Sequence, residues 1–264
     1  MHKFFKDMPE INIDLQTGKK LYFASDFHLG VDAFDTSQER EEKIIAWLKS
    51  ISDDAHVVFL VGDIFDFWFE YRKVVPKGFI GFLNQVREVV KKGIPVYFFK
   101  GNHDMWMFDY IPEITGASII SDELILKVNG KRLFVHHGDG LGPGDKSYKL
   151  LKKVFRSKLC QWLFALLHPA IGMGIAHFWS SQSKKKNNGL EQSFEDKFKE
   201  NIWLYCKESE KTDHFDMYIC GHRHLVLDLE VEPDSRYYNI GEWMTGSPYG
   251  VFDGENFKLC TFKG

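Results

Sequence analysis

The chain has 264 residues, 44% of them hydrophobic and 27% charged, and a formal net charge of −3. This is the composition of an ordinary globular protein, long enough for one large domain or one domain carrying a substantial insertion. Near-neutral charge gives no global case for nucleic acid. Cys160, Cys206, Cys220 and Cys260 form no CxxC pair and three of them lie in apolar segments, so reduced thiols of a cytosolic protein are expected in place of a disulfide framework. The opening MHKFFKDMPEINID has no apolar run of the kind a secretory signal needs.

In chain order, residues 1–18 read as a polar lead-in. A first strand is predicted over 20–25, ending at Asp26-Phe27-His28. Residues 37–50 have helical periodicity: Ser37 is placed as cap, Arg40 and Glu41 on the wet face, and Ile44, Ile45 and Leu48 on the dry one. The run 57–61 is apolar on both faces, as in a covered sheet, and ends at Gly62 with Asp63 and Asp66 close behind. A helix around 79–92, closed by Gly93, leads to a strand at 96–99 that runs into Gly101-Asn102-His103-Asp104. After Pro112 the pattern changes. Segments 124–128 and 132–136 flank Asn129-Gly130, a strong hairpin signal, and end in His137-Gly138-Asp139. Residues from 145 to about 207 read as helix throughout. A short strand at 217–220 is closed by Gly221-His222-Arg223-His224, and 225–262 alternates as antiparallel strands do. Strand–helix alternation, then hairpins, with a helical block between, predicts two packed sheets with outer helices and a cap.

Five predicted strands thus end in residues competent to bind metal: Asp26 and His28, Asp63, Asn102, His137, and His222 with His224. In D-x-H and H-x-H, side chains two apart on an extended backbone share a face, so both can reach one centre. Carboxylate, amide oxygen and imidazole without thiolate suit Mn²⁺, Fe or Zn²⁺ and disfavour a structural cysteine–zinc site. Mn²⁺ is the expectation carried forward. Seven ligands are too many for one such ion and suit two, with Asp63, on the strand expected to be central, shared between them. Paired cations activate water and clamp phosphoryl oxygens, so hydrolysis of a phosphoester or phosphoanhydride is the expected chemistry. His103 is placed to donate to a phosphoryl or leaving oxygen, with Asp104 beside it to fix its tautomer. His136, at a strand end, is assigned to packing or to supporting the ligands from behind.

The stretch 159–183 contains no formally charged side chain, a length that could span a bilayer. Pro169, Gly172 and Gly174 break it into two short helices instead. Between Asp145 and Leu190 stand nine lysines and arginines against Asp145 alone. A basic, aromatic-rich amphipathic insert suits an anionic membrane surface or an anionic amphiphile, and its apolar residues form no evident base-stacking platform. No nucleic acid and no protein partner is inferred.

The order of the five motifs resembles the calcineurin-like metallophosphoesterases over the whole chain except the helical block. The resemblance implies an α/β fold, a four-layer αββα sandwich of two mixed sheets with an inserted helical lid. The core would be 1–144 and 208–264, and the lid 145–207. It also implies that Asp26, His28, Asp63 and His224 hold one metal, and Asp63, Asn102, His137 and His222 the other. GDIFDFW at 62–68, HGDGLGPGD at 137–145, KVFRSKLCQWLF at 153–164 and GEW at 241–243 are similar to the UDP-2,3-diacylglucosamine pyrophosphatases of lipid A biosynthesis. That likeness implies release of UMP and 2,3-diacylglucosamine 1-phosphate at the cytoplasmic face of the bacterial inner membrane, with the protein peripheral. It places Asp145 at the glucosamine and Ser183 and Asn187 among the lid's polar contacts. The chain departs from that pattern at His103, where many members have Arg, and at Leu190, where the family has Lys.

Overall fold

The structure, a computed structural model, describes residues 8–144, 146–175 and 196–264. Strand β1 (Glu10–Ile13) lies in the segment read as a polar lead-in. Four alternating residues are too short a run to register as periodic, yet they pair in parallel with residues 125–128. β2 (Lys20–Ala24) and β3 (Ala55–Leu60) are parallel neighbours joined through α1 (Ser37–Ile51). Thr36, and not Ser37, caps α1: its hydroxyl accepts from the Glu39 amide while the Glu39 carboxylate accepts from the Thr36 amide. Ser37 is already inside the helix, and its hydroxyl accepts from Gly30.

α2 (Ile80–Lys91) leads to β4 (Val96–Phe99), parallel to β3, and α3 (Tyr110–Thr115) leads to β5 (Ser118–Ile120), parallel to β4. β6 (Leu124–Val128) and β7 (Lys131–Val135) form the expected hairpin. Asn129 and Gly130 turn it with φ of 48° and 86°, the positive pair such a two-residue turn demands. The block read as helix throughout is interrupted. It contains α4 (Lys146–Phe155), α5 (Lys158–Ala165) and a helical segment at 169–175 (α6), then a 3₁₀ turn (Lys197–Lys199) and α7 (Asn201–Ser209). The break between α4 and α5 falls at Ser157, whose side chain caps α5. No helix among the described residues is long and apolar enough to cross a membrane. β8 (Met217–Cys220), β9 (Val226–Glu232), β10 (Ser235–Ile240), β11 (Pro248–Phe252) and β12 (Phe257–Thr261) complete the chain.

The strands form two mixed sheets, β1-β6-β7-β8-β10-β9 and β12-β11-β2-β3-β4-β5. Alternate side chains decide the layers. Leu21, Phe23, Val57, Phe59 and Val61 meet Leu126, Leu133, Val135 and Ile219 between the sheets. Tyr22, Ala24, Val58 and Leu60 face the other way, onto Trp47 and Leu48 of α1 and Phe82 and Val86 of α2. On the outer face of the other sheet, Phe134, Tyr218 and Cys220 pack against Ile202, Trp203 and Cys206 of α7. The result is a four-layer αββα sandwich with the helical insert beside it. α7 straddles position 207, drawn from sequence as the end of the lid, and its apolar face makes it the fourth layer of the core. The four cysteines are free thiols.

Arg40, read as solvent-facing, is fully buried. Its guanidinium donates to the carbonyls of Phe27, His28 and Val31 and pairs with Asp35 at 2.5 Å, so it finds on the inside what water would have offered outside. Arg40→Ala is expected to cost about 3 kcal/mol of stability, because it strands three carbonyls and leaves Asp35 only its exposed contact with Lys43. Urea unfolding checks this, and a loss below about 1 kcal/mol would show that the guanidinium is not holding the loop.

Candidate metal centre

The seven candidate ligands come together at the carboxyl ends of β2, β3, β4, β7 and β8, as their positions after apolar strands require. The loops run side by side: the amides of Asp26 and His28 donate to the carbonyls of Gly62 and Asp63, and the Trp243 amide donates to the Asp26 carbonyl. Their backbone is not extended, contrary to the sequence-based rationale for D-x-H and H-x-H. Asp26, His28, Asp63, His222 and His224 have φ between 47° and 70°, and they are five of the seven non-glycine residues with positive φ among the described residues. Left-handed backbone costs a residue with a β-carbon of order 1–3 kcal/mol and concentrates where function imposes it.

Each carboxylate divides its two oxygens between backbone and centre. Asp63 Oδ1 accepts from the His103 amide at 2.8 Å, which leaves Oδ2 standing 3.3 Å from His137 Nε2 and 3.9 Å from His28 Nε2. Asp26 Oδ2 accepts from the His222 amide at 2.9 Å, and Oδ1 lies 3.2 Å from His224 Nε2, buried without a hydrogen bond. His28 and His224 bring their Nε2 atoms to 3.2 Å, and His137 Nε2 stands 3.2 Å from Asn102 Oδ1. Donor atoms held about 2.1 Å from one ion stand roughly 3 to 3.5 Å apart, so these separations, with an orphaned carboxylate oxygen among them, fit a metal centre. Asp26, His28 and His224 form one compact group, and Asp63, His137 and His222 another. Asp63 Oδ2 faces both.

The imidazoles are oriented from behind. His137 Nδ1 is 2.8 Å from the Val61 carbonyl, and His28 Nδ1 is 3.3 Å from Asp66 Oδ1. Burial opposes charge on His28 and His137, but Asp26 and Asp66 around the first and Asp63 beside the second outweigh it and push both pKa values up to about 10. Burial and the neighbouring His137 bring His222 down to about 4. The cluster therefore draws positive charge, for which cations compete with protons. Glycine is required at position 101, because a β-carbon there would stand 2.1 Å from Asp63 Oδ1.

Asp104 does not fix the tautomer of His103. Its two oxygens are taken by the amides of Ile64, Phe65 and Gly101, so it staples the loop after β4 to the loop after β3. Burial and the nearby Asp63 carboxylate push its pKa up to about 7, against the amide donors, which favour the ionised form. His103 Nδ1 instead lies 2.9 Å from the Asp66 carbonyl. Asp66 thus serves His103 with its backbone and His28 with its side chain, a double role that a turn residue in GDIFD does not announce. His136 is buried; its Nδ1 accepts from the Gly138 amide, beside His137, and its Nε2 stands 3.7 Å from Asp122. Asp145, Ser183 and Asn187 lie outside the described residues.

A model of the calcineurin-like phosphoesterase family matches residues 19–226. A protein of Porphyromonas gingivalis (strain ATCC BAA-308 / W83) named UDP-2,3-diacylglucosamine hydrolase is 36% identical over 252 residues, covering 91% of this chain and 96% of its own. Proteins of the same name from Shewanella sp. (strain W3-18-1) and Actinobacillus succinogenes are 26% and 24% identical, covering 87% and 85% of this chain and 93% and 92% of theirs. The match runs through every strand that delivers a candidate ligand. The chain therefore belongs to the calcineurin-like phosphoesterases and is a hydrolase of the divalent-metal-dependent kind.

Proposed function

We propose that the chain hydrolyses the pyrophosphate bond of UDP-2,3-diacylglucosamine by attack at the phosphorus nearer the uridine, releasing UMP and 2,3-diacylglucosamine 1-phosphate for lipid A synthesis. The observation that carries this reading is a seven-residue convergence in a chain 36% identical, over 91% of its length, to a protein of that name. Asp26, His28, Asp63 and His224 would hold one cation, and Asp63, Asn102, His137 and His222 the other. Mn²⁺ is proposed for its tolerance of mixed oxygen and nitrogen donors. When bound, such a pair lowers the pKa of a water nucleophile and draws charge from the phosphoryl oxygens.

His103 acts on the substrate side. Its Nδ1 is engaged by the Asp66 carbonyl, so the proton it exchanges is the one at Nε2. Burial lowers its pKa in the resting site, and an anionic pyrophosphate alongside favours the imidazolium. In that form it donates from Nε2 to a phosphoryl oxygen as charge accumulates in the transition state. The leaving group is a phosphate, already a stable anion, and needs no proton from His103. Asp104 keeps the two loops in register through its three amide contacts. Asp145 is proposed to contact the glucosamine, and Ser183 and Asn187 to supply polar contacts from the lid.

The insert is proposed as the lipid-facing part. Its inner side is fixed to the core by aromatics, Phe164 lying 4.6 Å from Trp106 and 4.8 Å from Phe69 between ring centres, and by the Trp106 indole donating to the Phe155 carbonyl. Its outer side leaves Leu159, Trp162 and Leu166 about two-thirds exposed, at 67%, 59% and 65%. Apolar tips among lysines suit a peripheral position on the cytoplasmic face of the inner membrane.

Purified protein supplied with Mn²⁺ is expected to release UMP from UDP-2,3-diacylglucosamine in detergent. Brisk turnover of short soluble phosphodiesters alone would point to a phosphoesterase of another substrate. His103→Ala is expected to lower kcat by about 100-fold or more while two ions per chain remain bound, and loss of metal would contradict its assigned role. Trp162→Glu with Leu166→Glu should weaken sedimentation with phosphatidylglycerol vesicles. Equal binding of both forms would move the membrane contact elsewhere.

A further inference from the structure

The crossover from β7 to β8 is tied at each of its ends by an ion pair to a loop that carries candidate ligands. At the outgoing end, α4 lays Tyr148 and Lys152 against Asp139, the last residue of His137-Gly138-Asp139. The Tyr148 hydroxyl donates to Asp139 Oδ2 at 2.5 Å. Lys152 Nζ stands 2.6 Å from the same oxygen and donates to the Asp139 carbonyl at 3.2 Å. The Asp139 side chain is wholly buried. Just past the end of α4, Arg156 pairs with Asp122. At the returning end, Glu200 precedes α7 and is itself buried. Its carboxylate receives Arg223 Nε at 2.9 and 3.2 Å, and Arg223 stands between His222 and His224.

The two ligand loops also touch each other. The Gly221 amide donates to the His137 carbonyl at 2.8 Å. Ile202 of α7 closes over them so tightly that a β-carbon on Gly138 would come within 2.9 Å of its Cδ1.

We propose that Lys152 and Glu200 are positioning residues of the metal centre, so that the crossover from β7 to β8, which carries the helical insert and α7, sets metal affinity. Removing Lys152 leaves a buried carboxylate with the Tyr148 hydroxyl but without its counter-charge, a cost that movement of the loop toward water, carrying His137 with it, relieves. Removing the charge of Glu200 frees Arg223 and slackens the span from His222 to His224 in the same way. Metal ligands depend on the groups that orient them, and losing such a group commonly weakens affinity by about 10- to 100-fold. By linkage, whatever settles the insert on the core also tightens the centre.

The inference rests on the seven-ligand assignment, and metal-free protein titrated with Mn²⁺ in a calorimeter, its fold monitored by circular dichroism, separates the two. Wild-type protein should take up two ions. Lys152→Met and Glu200→Gln should each weaken at least one of them by about tenfold or more, and Lys152→Arg should retain affinity. Lys153→Met, exposed on the same helix, should bind as wild type does. Glu200→Gln keeps the volume of the side chain and decides the matter alone if Lys152→Met does not fold. Folded variants that bind both ions as tightly as wild type would overturn the coupling. Wild-type protein that takes up no Mn²⁺ would sink the ligand assignment itself.

Discussion

The centre depends on how one carboxylate is shared. Asp63 gives one oxygen to the amide of His103 and is thereby left with the other aimed between His28 and His137. A carboxylate free to rotate would turn one oxygen to each histidine and close the gap, since both imidazoles attract it. The amide bond prevents this, and the bare approach of Gly101 leaves room for it. Asp26 repeats the device with the His222 amide. Buried negative charge that its own neighbours cannot satisfy is costly to keep, and the two packed sheets and Arg40 hold it in place.

The convergence of these groups was legible in the sequence because ligands of an α/β sheet gather at the carboxyl ends of its strands, and each apolar run here has a visible end. Their conformation was not. Asp26-Phe27-His28 reads as a strand continuing outward, whereas the chain turns left-handed at both ends of the triplet. No side-chain pattern encodes that turn, which is imposed by hydrogen bonds from a neighbouring loop 36 residues away, Asp26 to Gly62. The role expected of Asp104 falls to Asp66 for a related reason. Adjacency in GNHD suggested that Asp104 serves His103, but a carboxylate surrounded by three amides has nothing left to offer, and the Asp66 carbonyl arrives from the loop after β3. Arg40 misled in the opposite sense, since its charge reads as surface until three carbonyls and Asp35 are seen around it.

The αββα core needs the helical insert for neither sheet, yet the insert is not a loose addition. Phe155 and Phe164 lie in the aromatic cluster around Phe69 and Trp106, and the charged ends reach the loops of His137 and His222. A segment attached at these points shares its stability with the loops it holds. It keeps an outward face of leucine, tryptophan and lysine whose chemistry matches a lipid substrate better than a soluble one.

The sharing of Asp63 is tested most directly by electron paramagnetic resonance of the Mn²⁺-loaded protein. A carboxylate common to both sites brings the two ions close enough for exchange coupling, and the account predicts the spectrum of a coupled pair, converted to that of isolated or lost ions by Asp63→Asn. A wild-type spectrum of two magnetically isolated ions, or of one, would contradict it.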